Sequence, residues 1–75
     1  MSLDPTTVDA AYLVVMADMG SWSMLQRKLH LTFARAMRAL NDLEALGIVG
    51  PANPPHQRDV LITLDELDQI VRANG

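Results

Sequence analysis

The chain contains no cysteine, which rules out a disulfide framework and any thiolate metal site. It has one Trp, one Tyr and one Phe among its 75 residues, too few for a platform on which the bases of a single strand would stack. No apolar run approaches the ~20 residues of a membrane-spanning helix. The longest, Ala10 to Ala17, is bracketed by Asp9 and Asp18 and has no basic segment before it, so it does not read as a signal peptide either. No Gly-x-x-x-x-Gly-Lys-Ser/Thr phosphate loop occurs, and 75 residues leave no room for a motor domain. Catalytic constellations are missing too: there is no Ser-His-Asp or Cys-His arrangement, and His30 and His56 stand far apart with no carboxylate spacing suited to a metal. The chain is therefore expected to be no enzyme by itself and to need no cofactor. A cysteine-free composition fits a cytoplasmic protein.

What is present is a 49% hydrophobic chain, enough for one small core, and residues 5–73 read as one domain. The formal net charge is −3, which taken globally argues against nucleic acid. Its distribution argues the other way. Between Asp18 and Asp42 there is no acidic residue, and that window holds Arg27, Lys28, Arg35 and Arg38. The acids gather toward the ends, as Asp4, Asp9 and Asp18 and as Asp65, Glu66 and Asp68. Phosphate attraction depends on the face within a screening length of roughly 8 Å, so one basic face outweighs the overall sign.

Taken in order, Asp4-Pro5 opens a first helix of about 5–19, with Asp as N-cap and Pro at the first helical position. Val8, Ala11, Tyr12, Val15 and Met16 form its expected apolar stripe, and Gly20 is expected to stop it. Ser21-Trp22 reads as a short link, with Trp22 in the core. Ser23-x-x-Gln26 has the form of a capping box for a second helix of about 24–30, with Leu25 and Leu29 inward and Gln26, Arg27 and Lys28 outward. His30-Leu31-Thr32 is the turn, without the usual glycine.

Thr32 is the expected N-cap of the third helix, about 33–46, and Gly47 its left-handed terminator. At about 100° per residue, Phe33, Ala36, Met37, Leu40 and Leu43 share one face. Arg35, Arg38 and Asp42 lie opposite, with Ala34 and Asn41 beside them. Two arginines toward the N-terminal half of a helix whose other face is core suit insertion into a DNA groove. Ile48-Val49-Gly50 and 59–62 read as two short strands joined by the polar loop Ala52 to Gln57. Thr63-x-x-Glu66 is a further capping box and starts a last helix of about 64–73, with Leu64, Leu67, Ile70 and Val71 as its stripe. The expected class is α+β, mostly α: a winged helix-turn-helix with a three-helix core, a two-stranded wing and an extra C-terminal helix.

The runs SMLQRKL, FARAMR, LEALGIVGP and RDVL resemble the C-terminal gamma domain of the FtsK/SpoIIIE family of DNA translocases. The resemblance covers about Ala11 to Ile62, and its most specific part is Ser23 to Pro51. It implies a winged helix at the end of a hexameric ATP-driven motor, binding short, polar, G-rich sites in double-stranded DNA. Such sites orient loading of the motor in chromosome partition and cell division. In some members the domain also contacts the recombinase that resolves chromosome dimers. The parent translocase would be the membrane-anchored part, with no membrane contact by this domain.

Within that resemblance, Gln26 and Arg27 match the second-helix polar pair, Arg35 and Arg38 the recognition-helix arginines, and Arg58 the wing-base arginine. Where the family commonly enters the recognition helix with Gly-Tyr-Asn, this chain has Thr32-Phe33-Ala34. Its wing has Asn53, Pro54, Pro55 and His56 in place of Gly, Ser and Lys. The expected interface places Arg35, Arg38, Thr32 and Ala34 at base edges. It places Ser23, Gln26, Arg27, Lys28, Arg58 and His56 at phosphates. Expected partners are duplex DNA, with a site-specific recombinase or further copies of the chain beside it. Two alternatives stay open: a protein-interaction or dimerisation module working through Leu67 and Ile70 of the last helix, and the DNA-binding domain of a conjugative plasmid-transfer translocase.

Overall fold

The computed structural model describes residues 3–51 and 57–74. Four helices carry it: α1 (Pro5–Ala17), α2 (Trp22–Leu29), α3 (Phe33–Ala45) and α4 (Leu64–Asn74). Two short strands, β1 (Gly20–Ser21) and β2 (Gln57–Arg58), pair antiparallel, with Gly20 opposite Arg58 and Ser21 opposite Gln57. Beyond them a single bridge joins Val49 to Val60, flanked by the bonds Gly50 N–H to Asp59 O (2.9 Å) and Leu61 N–H to Ile48 O (2.9 Å). The expected strand pair at 48–50 and 59–62 is thus reduced to one bridge and its two neighbouring bonds. The tip of the loop, residues 52–56, lies outside the described residues.

The sequence contains no warning of β1, because a two-residue strand carries no alternation to read and exists only through its backbone pairing. It also moves two boundaries. α1 ends at Ala17 with Asp18 in the left-handed region (φ 54°), so Gly20 is not its terminator. Gly20 serves the strand pairing instead: a Cβ there would lie 2.5 Å from the Arg58 carbonyl oxygen and 2.9 Å from its Cβ. The cap of α2 is Ser21, whose hydroxyl accepts the Met24 N–H at 3.3 Å, and not the expected Ser23.

Other caps form as read. Asp4 accepts the Thr6 N–H (2.7 Å) ahead of Pro5, and Thr32 accepts the Arg35 N–H (3.2 Å). Thr63 and Glu66 exchange bonds in both directions, at 3.0 and 3.2 Å. Gly47 adopts φ 77° after α3.

The core lies where α1, α2 and α3 meet, filled by Ala10, Ala11, Val14, Leu25, Ala36, Leu40 and Leu43, with Ile48, Val49 and Leu67 closing it. Three expectations about faces change. α1 buries Thr7, Ala10, Ala11 and Val14; of the expected stripe, Ala11 is in the core and Tyr12 and Val15 pack against it, while Met16 is 71% exposed. A helix apolar on nearly every side does not declare which side is covered. Leu64 is 44% exposed and lies outside the packed stripe of α4. Phe33 is exposed too, at the first turn of α3, where that helix has run past the edge of the core. α4 packs on α1: Leu67 is fully buried, and the Tyr12 hydroxyl donates to Asp68. That bond, with some burial and the Asp68 charge, pushes the Tyr12 phenol above its usual 10.0, against a smaller opposing pull from Arg72.

Candidate nucleic-acid interface

α2 and α3 pack on one another through Met24, Leu25, Ala36 and Leu40, joined by the turn His30-Leu31-Thr32. The missing turn glycine is replaced by His30 in the left-handed region at φ 55°, whose N–H closes on Gln26 O; Leu31 N–H bonds the same carbonyl at 3.2 Å. Gln26 adds its side chain to the turn, donating to Leu31 O at 3.4 Å. Gln26 thereby holds the turn at the end of α2, and the Thr32 cap holds it at the start of α3.

α3 divides along its length. Thr32, Phe33, Ala34 and Arg35 are four successive exposed residues at its entry, and Arg38 is exposed one turn on. Among the described residues, neither the Arg35 nor the Arg38 side chain has a hydrogen-bond or ion-pair partner, nor does Lys28. The C-terminal half is tied to the rest of the fold. Asp42 accepts the Thr7 hydroxyl of α1 (3.4 Å), and Asn41 and Glu44 both bond Arg58. Arg27 and Lys28 are exposed on α2, with Arg27 Nε at 3.5 Å from the Ser23 carbonyl of its own helix. The four cations of the acid-free window are all exposed on the two consecutive helices of the pair.

Of the expected site residues, Arg35, Arg38, Thr32 and Ala34 come together at the N-terminal half of α3. The Thr32 oxygen is engaged as the cap, which leaves its O–H free to donate. Ser23 is exposed and its hydroxyl pairs with that of Ser21 at 3.0 Å. Gln26 is half-buried and engaged with the turn. His56 lies outside the described residues.

Arg58 is a correction. Far from offering a wing-base cation to phosphate, its side chain is 4% exposed and reaches α3. Nη1 donates to Leu40 O (3.2 Å) and Glu44 (3.2 Å), and Nη2 to Asn41 Oδ1 (2.9 Å). A buried guanidinium needs partners for both its charge and its donors, and α3 supplies them.

Two further features were not read from the sequence. Arg35 and Arg38 line a shallow cleft together with Asp4, Thr6 and Thr7 from the start of α1 and with Asp42. Two carboxylates therefore stand beside the two arginines. Asp42 at i+4 from Arg38 was visible in the spacing, whereas Asp4 arrives only through the packing of α1 on α3. The second feature is the Trp22–Phe33 pair, edge to face with ring centroids 5.0 Å apart and planes at 81°. Trp22 is half-buried against the core, as expected, but also supports the exposed Phe33.

No helix is long and apolar enough to cross a membrane among the described residues, and no group of three or more His, Asp or Glu side chains there is placed to hold a metal ion.

A family model described as the Ftsk gamma domain matches residues 1–63. The DNA translocase FtsK of Streptomyces avermitilis is 50% identical over 62 residues, which are 83% of this chain and 7% of that protein. That of Tropheryma whipplei is 45% identical over 64 residues, 85% of this chain and 9% of that protein. That of Mycobacterium tuberculosis is 48% identical over 60 residues, 80% and 7% respectively. The chain thus spans only 7–9% of the length of these relatives, and α4, from Leu64 on, follows the segment the family model covers. With the match extending over α1, α2, α3 and both strands, the chain belongs to the FtsK gamma domain family.

Proposed function

We propose that this domain is a winged-helix module that binds double-stranded DNA with a preference for G-rich, polar sites, and so loads or orients an FtsK-type translocase. The observation that carries the reading is the entry to α3: four successive exposed residues and two arginines without protein partners among the described residues, on the second helix of a helix-turn-helix pair. Arg35 and Arg38 are assigned to base edges, where guanine O6 and N7 are the natural partners of arginine. Thr32 and Ala34 sit at the same end of the helix and take part in base contact. Arg27 and Lys28 hold phosphates and set register, with Ser23 and the outer part of Gln26 beside them. Arg58 has no contact with DNA in this assignment and acts by holding the wing base on α3.

The names of the relatives, all DNA translocase FtsK, favour the chromosomal role over the conjugative one. The dimerisation alternative loses one of its two residues, because Leu67 is fully buried within the chain, while Ile70 is half-buried. A site-specific recombinase, or further copies bound side by side on one site, are the further partners of this reading.

The test is a fluorescence-anisotropy titration at low salt, comparing G-rich asymmetric duplexes with scrambled ones. Tighter, salt-sensitive binding to a G-rich duplex is the expected result. Equal binding to both removes the sequence preference, and absence of binding to either removes DNA as the ligand.

A further inference from the structure

We propose that Phe33 is a specificity-determining residue that packs against the C5-methyl group of thymine in the major groove. The inference rests on the DNA-binding reading above and adds an apolar contact to the arginine contacts. Phe33 is the first residue of α3 and is 54% exposed, between the exposed Thr32 and Ala34. It is the one large apolar side chain left uncovered on that helix, whose Leu40 and Leu43 are buried and whose Met37 is half-buried. Exposed aromatic surface is unfavourable in water and gains free energy when something apolar covers it.

Its setting indicates what that cover is. Arg35 follows two residues later, and Arg27, Lys28 and Arg38 complete a region that favours a polyanion. When such a helix enters the major groove, the thymine methyl is the only apolar group the base edges present, and phenylalanine is among the side chains that meet it. Trp22 prepares the contact. The edge-to-face arrangement at 5.0 Å and 81° limits the rotamers of Phe33 before DNA arrives, so less conformational freedom is lost on binding. Because Trp22 opens α2 and Phe33 opens α3, the pair also links the two helix starts that approach the duplex.

The experiment compares the tightest-binding G-rich duplex with the same duplex carrying dU at every dT. That exchange removes the methyl and leaves each hydrogen-bonding edge unchanged. Wild type and Phe33→Ala are titrated on both by anisotropy, and Trp22, the only tryptophan, is followed by its own fluorescence. Expected for wild type is a loss on the order of four-fold on the dU duplex, the value of one buried methyl-sized group, with a smaller Trp22 response. Phe33→Ala is expected to bind both duplexes alike, at about the affinity of wild type for dU. Thermal unfolding of the variant controls for folding, which an exposed position leaves intact. A wild type indifferent to the methyl, or a variant that keeps the methyl preference, overturns the role of Phe33 while the DNA reading stands. Absence of binding to any duplex overturns both.

Discussion

The Arg58 guanidinium donates from Nη2 to the Asn41 side-chain oxygen at 2.9 Å, joining the base of the wing to the outer half of α3. Its second arm reaches Leu40 O and Glu44, both at 3.2 Å. Replacing Arg58 by Ala removes a donor from the Leu40 carbonyl, which keeps its bond within α3, and from the oxygen of the exposed Asn41, and empties the space of a buried side chain. Glu44, which is partly exposed, regains water and adds little. The expected loss is about 2–3 kcal/mol of stability, read as a lower urea midpoint. At temperatures where the variant is folded, the salt dependence of DNA binding should be unchanged. A salt slope smaller by about one would show a phosphate contact instead.

Arg35→Ala should cost about 1–3 kcal/mol on the preferred duplex and flatten preference at one base pair. Arg27→Ala should weaken every duplex alike and lower the salt slope by about one. The two titrations separate reading from holding: a uniform loss for Arg35→Ala moves it among the phosphate contacts, and an unchanged slope for Arg27→Ala takes it out of the interface.

Asp42 stands in the cleft with Arg35 and Arg38 and accepts the Thr7 hydroxyl. Asp42→Asn keeps an acceptor for Thr7 and removes a negative charge beside the two cations. Binding to all duplexes should tighten by about two- to three-fold at low salt, with the gain fading as salt is added. An unaltered affinity at low salt would place the Asp42 charge outside the reach of the DNA.

Gly20→Ala puts a Cβ 2.5 Å from the Arg58 carbonyl oxygen. Because that atom is backbone, relief requires β1 and β2 to separate, at a cost of about 1–3 kcal/mol, measured by thermal unfolding. At the turn the sign reverses. His30 holds φ 55°, and His30→Gly should raise stability by about 0.5–1 kcal/mol, since the strain of a Cβ there exceeds the added freedom of the unfolded chain.

Tyr12 is the only tyrosine, so tyrosinate absorbance follows a single group. Its folded-state value lies above the usual 10.0, because it donates to Asp68 and would ionise beside that carboxylate. The bond therefore stabilises the fold at neutral pH, and its contribution is lost as pH rises through the raised folded value. Asp68→Asn should bring the Tyr12 titration down toward 10.0; a titration that does not move would mean that the hydroxyl is not held by Asp68.

The parts legible in the sequence were those that depend on residues a few positions apart. Asp4-Pro5, Thr32 and the Thr63–Glu66 pair all cap as their spacing implies. So does the acid-free window, which comes out as exposed cations on α2 and α3. The misses share a long-range cause. Arg58 lies 14 to 18 positions from its partners, so no local pattern distinguishes it from a surface cation. The strand at Gly20-Ser21 is made by a segment 38 residues away across the register Gly20 to Arg58. Ser21 and Ser23 are two candidate caps in succession, and only the start of α2 at Trp22 chooses between them. Phe33 fits the wheel of α3 but belongs to Trp22, because the core ends before the helix does.

Since Arg58 ties β2 to α3 while Gly20 lets β1 lie against β2, α3 and the root of the wing are held against one another. Such a pair resembles a caliper with a set gap. In the proposed role it would grip duplexes whose groove already has the right width, and any other duplex would be deformed to fit, at an energy set by the stiffness of its base steps. In the proposed DNA-binding role, part of a preference for one DNA over another would be written in the spacing between two protein segments, at positions where no side chain touches a base.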